Sequence, residues 1–299
     1  MKIGVVILNY NSWEATVAFV EALQHQTVSN DLAIVIVDNA SPNGSYEKLL
    51  PLKERFPNVV AVLQTGGNLG YAKGNNVGLK WLDGNAHPEY VAVCNNDIIL
   101  PDNCLEQLVL RFPSLENACV ISPMQLLPDG RRVSGWNLPS WCDDLKNLSL
   151  LYRWLSKKRA VRQSVAKGGM HASEEETVPV KVDVIPGSFL FASFERFKKI
   201  GFFYPGTFLF VEERFIAYAA KQAGYQNYIL SDMTYLHEHS KTINTAFSRV
   251  RQYRLQYDGW LKYTRRCRKY GVLKAVLMTP LIWLSMGEMG FLELLRVNQ

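Results

Sequence analysis

The sequence has few cysteines, and none of them belongs to a metal or disulfide motif. Five cysteines in 299 residues are an odd number, no two form a Cys-x-x-Cys pair, and most lie among apolar residues. This pattern argues against a zinc site and against a disulfide framework, and it favours a reducing compartment. We therefore expect a cytoplasmic protein that depends on its apolar core, which 48% hydrophobic residues are sufficient to build.

Long apolar segments are also missing. The apolar run 3–8 is too short for a signal peptide, and polar residues follow it instead of a cleavage site. A second apolar run, 272–284, is too short to cross a membrane and is interrupted by Lys274 and Pro280. This second run could lie in the plane of an anionic membrane, pack on the rest of the protein or form a dimer contact.

A third absence concerns the glycine fingerprints of common nucleotide-binding proteins. The stretch 66–78 is rich in glycine and asparagine, but it fits neither Gly-x-Gly-x-x-Gly nor Gly-x4-Gly-Lys-Ser/Thr. It follows a predicted strand and continues into a helix predicted over about 72–82. Small residues at such a turn still allow a diphosphate to approach the amino terminus of the helix.

Four short apolar runs alternate with helical patterns in the first hundred residues. They are continuous and rich in β-branched residues, as in strands buried on both faces of a parallel sheet. The runs are 3–8, 34–37, 59–63 and 90–94. This order predicts an α/β fold with a mixed, mainly parallel central sheet that is flanked by helices and binds its ligand at the carboxyl edge.

Polar side chains follow three of these strands. Asn9 follows the first, Asp38 the second, and Asn95, Asn96 and Asp97 the fourth. Carboxylate oxygens at this edge suit Mg2+ or Mn2+, so Asp97 is a candidate metal ligand and Asp38 a candidate acceptor for a base or ribose. The alternative is a set of turns in which these side chains only cap backbone groups.

Three short motifs occur in a fixed order along this half of the chain. They are Val-Asp-Asn-Ala-Ser at 37–41, Gly-Asn-Leu-Gly-Tyr-Ala-Lys-Gly-Asn-Asn-Val-Gly at 67–78 and Asn-Asn-Asp at 95–97. At these separations the set resembles the family 2 glycosyltransferases of the GT-A fold, above all the rhamnosyltransferase-like members that build bacterial surface polysaccharides such as O-antigen and capsule. The resemblance implies a nucleotide-diphospho-sugar donor, dTDP- or UDP-linked. The donor contacts it implies are Asn9, Asp38, Asn68, Gly70, Tyr71, Asn75, Asn96 and Asp97.

The resemblance continues on the acceptor side. A strand predicted over 182–191 contains Gly187 and Ser188, which match the acceptor-side glycine pattern, and a short helix and a Gly-Phe turn follow. The family then carries an acidic pair after an aromatic run, where this chain has Glu212 and Glu213. This match implies that one of the two is the base that takes the acceptor proton. Which one is left open, because many relatives have a further Asp where this chain has Phe215.

An ordinary structural role is the alternative for this acidic pair. Two carboxylates in the first turn of a helix over 212–223 would stabilise its amino terminus. His237 carries the same kind of ambiguity, since a lone histidine is usually a packed or surface residue. With Ser240 and Thr242, however, His237 matches the family pattern in which a histidine returns to the metal or diphosphate, and neutral imidazole suits Mn2+. His239 is the weaker candidate.

Charge divides the chain into a body and a basic tail. From residue 240 onward the chain carries 11 Lys and Arg against three Asp and Glu, a net charge of +8, whereas the first 239 residues carry −2. We expect a catalytic domain over 1–240, with a donor half (1–100) and an acceptor half (101–240) that contains a mobile loop near 156–179. A helical extension rich in aromatic residues follows over 241–299.

The composition of the tail indicates which partners it could bind. Basic and aromatic residues together favour contact with an anionic membrane surface, and they leave a homodimer open. Nucleic acid is not expected as a partner, because no recognition motif is present.

The hypothesis is therefore a metal-dependent, inverting glycosyltransferase (a hexosyltransferase) that is cytoplasmic or peripheral on the inner face of the membrane. It would move a sugar, with rhamnose as the first candidate, to a hydroxyl of a glycan or lipid-linked acceptor. One alternative is an inactive binding or scaffold subunit of an assembly complex, which Phe215 keeps open. The other is a nucleotidyltransferase, but 9–12 lacks the basic, glycine-rich loop usual after the first strand of that class.

Overall fold

The computed structural model describes residues 2–148, 179–238 and 248–268, together with eight isolated positions between 276 and 287. The loop predicted near 156–179 lies outside the described residues, apart from its last residue. Ser240, Thr242 and His239 also lie outside them.

The four runs predicted as strands form the parallel part of the sheet. They are β1 (Ile3–Asn9), β2 (Leu32–Asp38), β3 (Val59–Gln64) and β4 (Tyr90–Cys94), in the spatial order β3-β2-β1-β4. Every residue of β2 and β4 is buried, as the continuous apolar runs predict. The helices between them are α1 (Trp13–Leu23), α2 (Ser45–Leu49), α3 (Leu52–Arg55) and α4 (Gly70–Asn85).

The second half of the chain extends the same sheet. Its strands are β5 (Ile98–Ile99), β6 (Ala118–Leu126), β7 (Arg132–Val133), β8 (Val180–Val182), β9 (Phe189–Ser193) and β10 (Gln226–His237). Strand β9 is antiparallel to both β4 and β6, so six of the ten described strands run in one direction. The mixed, mainly parallel α/β sheet is confirmed.

One predicted element is divided in two. The expected strand over 182–191 is divided into β8, which pairs with β10, and β9, which lies between β4 and β6, with a turn at Gly187 and Ser188 before β9. Gly187 and Ser188 lie directly before β9. They are therefore at the edge where β4 ends, and not inside a strand.

The helices of the second half cover the sheet and the acceptor side. They are α5 (Cys104–Arg111), α6 (Trp141–Leu148), α7 (Phe194–Lys199), α8 (Glu212–Gln222) and α9 (Arg249–Tyr263), the last continued by a π-helical turn over Thr264–Arg268. None of the helices within the described residues is long and apolar enough to cross a membrane.

Glycines at four-residue spacing explain how closely α4 approaches the sheet. Gly74 and Gly78 lie on one face of α4. A Cβ added to Gly74 would stand 2.6 Å from Leu8 Cδ1, and one added to Gly78 would stand 2.7 Å from Val6 Cγ1. Any side chain would push the helix away from β1. The glycine-rich stretch therefore serves helix–sheet packing as well as the turn that precedes the helix.

The beginning of the basic tail packs on the body. Helix α9 lies against α8 and builds a third apolar cluster with it, separate from the two clusters on the faces of the sheet. The buried members of this cluster are Val211, Phe215, Tyr257, Trp260, Tyr263 and Cys267. Of the roles considered for the tail, packing on the body thus applies to residues 249–268.

Candidate functional site

The carboxyl ends of β1, β2 and β4 meet at one edge of the sheet. Asn9 is paired in register with Asp38, and Cys94 at the end of β4 is paired with Ile7. The backbone N–H of Asn95 donates to the Ser188 carbonyl at 2.9 Å, which joins this edge to the residues before β9. The structure therefore brings the donor-side and acceptor-side candidates together.

Asp38 is a buried hydrogen-bond acceptor at the end of β2. Its side chain is fully buried, Oδ1 accepts from Asn9 Nδ2 (2.7 Å) and Ser41 Oγ (2.6 Å), and Oδ2 accepts from the Ser41 backbone N–H (3.0 Å). These hydrogen bonds leave the expected contact of Asp38 and Asn9 with the nucleoside as a prediction, since a carboxylate oxygen can accept more than one donor. The hydrogen bonds among Asn9, Asp38 and Ser41 hold the backbone of the turn after β2 in place.

Asn39, which the sequence did not single out, connects two turns of the donor side. Its Nδ2 donates to Asn68 Oδ1 (3.0 Å), and its Oδ1 accepts from the Leu69 backbone N–H (2.9 Å). Asn68 Oδ1 also accepts from the Gly70 N–H at 3.0 Å, at the start of α4. The side chain of Asn68 is thus a brace within the turn. The turn at 67–69 is itself partly exposed at the carboxyl edge of the sheet.

Gly70 and Tyr71 contact a distant part of the chain. Gly70 has φ +78°, and a Cβ there would stand 2.1 Å from the Phe208 carbonyl oxygen, so only glycine fits. The Tyr71 N–H donates to that same oxygen at 2.7 Å, and the Tyr71 hydroxyl donates to the Gly187 carbonyl at 2.6 Å. Tyr71 thereby links the donor-side turn to the acceptor side.

Two asparagines of α4 point into the protein. Asn75 is fully buried and its Nδ2 donates to the Tyr71 carbonyl one turn earlier, and the donor contact expected of Asn75 stays a prediction. Asn76 holds the Phe203 backbone at both its N–H and its carbonyl. The hydrogen bonds of both side chains thus hold α4 and the Phe203 backbone in place.

Asn96 is tied to the start of α1. Its Nδ2 lies 2.8 Å from both Ser12 Oγ and Thr16 Oγ1. Ser12 is the residue before α1, but its side chain makes no capping hydrogen bond to the helix. Instead it positions Asn96, which remains partly exposed at the edge.

Asp97 and His237 face each other across the antiparallel contact of β5 with β10. His237 Nε2 lies 3.3 Å from Asp97 Oδ1, and the Glu238 N–H donates to the Asp97 carbonyl at 3.0 Å. Both carboxylate oxygens of Asp97 are buried, and neither accepts a hydrogen bond from any residue in the described ranges. A buried carboxylate without a donor is costly unless a cation or another group completes it.

Gln125 holds the other side of the histidine ring. Its amide nitrogen lies 2.9 Å from His237 Nδ1, between side chains that are 6% and 9% exposed. If Nδ1 accepts from the amide, the ring proton is on Nε2. If the amide is reversed and its oxygen accepts from Nδ1–H, the Nε2 lone pair faces Asp97. The orientation of the Gln125 amide thus determines whether Nε2 faces the Asp97 carboxylate with a proton or with a lone pair.

These donor atoms fit a divalent cation. Hard carboxylate oxygens and one imidazole nitrogen suit Mg2+ or Mn2+, and the two oxygens of Asp97 lack other partners in the described part of the chain. Within that part, no group of three or more His, Cys, Asp or Glu residues is placed to hold a metal ion. A cation here would need further oxygen ligands from outside the protein side chains.

The acidic pair lies beside Gly187. Glu212 is 3% exposed, whereas Glu213 is partly exposed and accepts a hydrogen bond from the Gly187 N–H. Burial raises the pKa of Glu212 well above its usual value, and the neighbouring Glu213 carboxylate raises it further. Burial also raises the pKa of Glu213, against the opposing effects of backbone donors and Arg214. The pair therefore shares a low-dielectric site in which Glu213 is the better placed to ionise.

The backbone before this pair is strained. Phe210 and Val211 both have φ +71°, and a β-branched residue in that region is a clear outlier. Such conformations cost about 1–3 kcal/mol each and persist only where the surroundings enforce them. Sequence reasoning missed this feature, since nothing in Phe-Val indicates a left-handed backbone.

Comparison with known proteins places the chain in context. A match to the family described as Glycosyl transferase family 2 covers residues 4–172, more than half of the chain. The uncharacterized glycosyltransferase YwdF of Bacillus subtilis (strain 168) is 28% identical over 109 residues, which are 36% of this chain and 37% of that protein. The chain thus aligns with little more than a third of this curated relative.

Solved structures show the same fold at low identity. The structure of GalNAc-T7 with UDP, GalNAc and Mn2+ has a TM-score of 0.58 at 17% identity, and the match covers 80% of this chain and 44% of that one. The mannosyltransferase PcManGT from Pyrobaculum calidifontis, in complex with GDP-Man and Mn2+, has a TM-score of 0.55 at 15% identity, covering 88% and 64%. S. aureus TarS 1–349 has a TM-score of 0.52 at 14% identity, covering 91% and 74%.

Proposed function

Since the chain belongs to glycosyltransferase family 2, to which residues 4–172 match, we propose that it transfers a sugar from a nucleotide-diphospho-sugar to an acceptor hydroxyl. One observation carries this proposal. Glu213 contacts Gly187, and the next residue, Ser188, is bonded to the strand end that leads to Asp97. The candidate base and the candidate diphosphate-binding end are therefore joined by hydrogen bonds through Gly187, Ser188 and Asn95, and transfer between two substrates requires such a fixed arrangement.

The donor binds along the edge formed by the turns after β2 and β3. The Gly67–Gly70 turn, braced by Asn39 and Asn68, presents backbone to the ligand at the start of α4. Neighbours of the same fold bind UDP or GDP-mannose, which supports a nucleoside diphosphate donor. A dTDP- or UDP-linked sugar is the specific proposal.

Asp97 and His237 would hold Mg2+ or Mn2+, with Gln125 orienting the imidazole. Such a cation neutralises negative charge on a departing diphosphate. Mn2+ in the structures of two neighbours supports a divalent ion here as well. The observation from this chain that supports it is the buried Asp97 carboxylate, which faces His237 Nε2 at 3.3 Å and accepts no hydrogen bond from the described residues.

Glu213 acts as the base. Its partly exposed carboxylate takes the proton from the acceptor hydroxyl, while the more deeply buried Glu212 stays protonated and limits the negative charge of the pair. Attack from the side opposite the diphosphate inverts the configuration at the anomeric carbon. A single displacement needs no protein nucleophile.

The wider context follows from the resemblance and the charge. We propose a glycan or lipid-linked acceptor of bacterial surface polysaccharide synthesis, with rhamnose as the first candidate for the sugar. The basic tail would bring the protein to the inner face of the cytoplasmic membrane. Large apolar side chains at Val276, Trp283 and Leu284 are 58%, 68% and 61% exposed, which supports a surface contact there.

A thermal-shift panel tests the donor site. UDP, dTDP, GDP and CDP are each added with Mn2+, Mg2+ or EDTA to the wild type and to Asp97→Asn. Specific binding raises the melting temperature by mass action. We expect a shift for one nucleotide that requires the metal and is lost in the variant. A panel without any shift would contradict the donor proposal and favour a scaffold subunit.

A further inference from the structure

The loop 204–211 connects the two halves of the site. On one side, its Phe208 carbonyl accepts the Tyr71 N–H at the donor turn. At its end, Phe210 and Val211 lead directly into Glu212 and Glu213. Whatever fixes this loop therefore fixes the distance between the donor turn and the base.

Helix α9, from the basic tail, touches this loop at two points. A Cβ added to Gly259 would stand 3.0 Å from the Phe210 carbonyl oxygen and 3.2 Å from Val211 Cγ2, so the helix backbone lies directly on the strained pair. Lys262, three residues further on, donates to the Gly206 carbonyl at 2.8 Å. These contacts cover both ends of the loop.

Aromatic packing fixes the same helix to α8. Phe215, three residues after Glu212, meets the Tyr263 ring edge-on at 5.4 Å, and Tyr263 is fully buried. Tyr204, the first residue of the loop, stacks on Phe215 at 4.3 Å. The strained backbone thus lies between α8 and α9. Packing from both helices enforces its conformation, as a positive φ at valine requires.

We infer that Gly259 and Lys262 are positioning residues of the active site: through the 204–211 loop they hold Glu213 against Gly187. The tail then contributes to catalysis as well as to any surface contact. This inference rests on the proposed function for its kinetic part alone. Its structural part, the enforced loop conformation, stands independently of any substrate.

Gly259→Val tests the inference. The new side chain would have to displace Phe210 and Val211, because the Cβ alone is already at the limit of contact. The matched control is Gly84→Val, in helix α4, where nothing lies within 4 Å of an added Cβ. Both variants place the same β-branched residue in a helix, so propensity costs are equal.

Hydrogen–deuterium exchange is the first readout. We expect faster exchange, by at least ten-fold, in Gly259→Val at the amides of Tyr71 and Arg214, which donate to the Phe208 and Val211 carbonyls, and no change there in Gly84→Val. Lys262→Met keeps the aliphatic stem, removes the Gly206 hydrogen bond and serves if Gly259→Val does not fold. We expect it to speed exchange near Gly206 by a smaller factor. Unchanged protection in a folded variant would overturn the inference, whatever the activity.

Kinetics with the donor that the nucleotide panel identifies are the second readout. Gly259→Val should lower turnover at least ten-fold while the dissociation constant of the nucleotide–metal complex changes less than three-fold. Equal turnover in Gly259→Val and Gly84→Val would overturn the positioning role. If the loop loses protection but the wild type turns over no donor, the proposed function fails while the structural part stands.

Discussion

Glu213 lies directly against Gly187. Its Oε1 is 2.6 Å from the point that a Cβ on this glycine would occupy, and the Gly187 N–H donates to the same carboxylate. The Gly187 carbonyl in turn accepts from the Tyr71 hydroxyl at 2.6 Å. One glycine therefore fixes the base on one side and the donor-side tyrosine on the other.

Replacing this glycine should displace the base. In Gly187→Ala the methyl group collides with Glu213, and we expect turnover to fall at least ten-fold while nucleotide binding persists. The φ angle of Gly187 lies outside the left-handed region, so alanine can adopt the same backbone conformation and the collision with Glu213 is the main effect. Steady-state kinetics and calorimetry of nucleotide binding check this, with Gly84→Ala as the control. A loss of nucleotide affinity equal to the loss of turnover would refute a role confined to the base.

The two members of the acidic pair should differ in importance. Glu213→Gln keeps the shape but removes the base, so turnover should fall by about 10²- to 10⁴-fold. Burial raises the pKa of Glu212 well above the usual value, and the proposed mechanism needs its protonated form only, so the effect of Glu212→Gln should stay below ten-fold. Parallel kinetics of both variants, with folding checked by circular dichroism, measure this. The reverse order would identify Glu212 as the base.

The buried Glu212 should make stability depend on pH. Its folded pKa is raised, so its contribution to stability is fully present below about 4.5, the usual value of a glutamate, and is lost as the pH rises through the folded pKa. Glu212→Gln removes that loss. We expect the variant to melt above the wild type at pH 8 and not at pH 4.

An exposed glutamate provides the comparison. Glu195 also lies in the first turn of a helix, α7, but it is exposed, so Glu195→Gln should give no such pH-dependent gain. Melting curves of the three proteins at both pH values decide the matter. An equal gain at pH 4 and pH 8 for Glu212→Gln would show that the ionisation of this group is not responsible.

Gln125 should control metal affinity through His237. Gln125→Leu leaves Nδ1 without the Gln125 amide, and loss of a group that orients a ligating histidine commonly weakens metal binding by about 10- to 100-fold. Gln125→Glu offers an acceptor for Nδ1–H, which leaves Nε2 available, and should retain binding. Titration of Mn2+ followed by electron paramagnetic resonance reads this directly, without activity. Equal affinity in the leucine variant would exclude the proposed orientation.

The sheet and its polar edge were predictable because they depend on local sequence. Continuous β-branched runs indicated four of the buried strands, and the polar residues after them indicated the edge. The fold class is confirmed by structural neighbours as well. The division of the predicted strand at 182–191 was not foreseen, because a turn after Pro186 and a strand with a proline nearby give similar patterns.

The contacts within the site were less predictable. Gln125 and His237 are 112 residues apart, and Tyr71 and Gly187 are 116 apart, so no local pattern reveals these pairs. The partners of Asp38 were not predictable for a related reason. A carboxylate after a strand suits a ligand or a turn equally, and only the positions of Asn9 and Ser41 show that its oxygens are already used.

The configuration of the released sugar tests the central claim most directly. The donor identified by the nucleotide panel is incubated with enzyme and metal in D2O without acceptor, and proton NMR records the first anomer formed by slow hydrolysis before mutarotation. Single displacement with Glu213 as base predicts that the sugar first appears with inverted configuration, and that Glu213→Gln abolishes the signal. A sugar released with retained configuration would contradict the account.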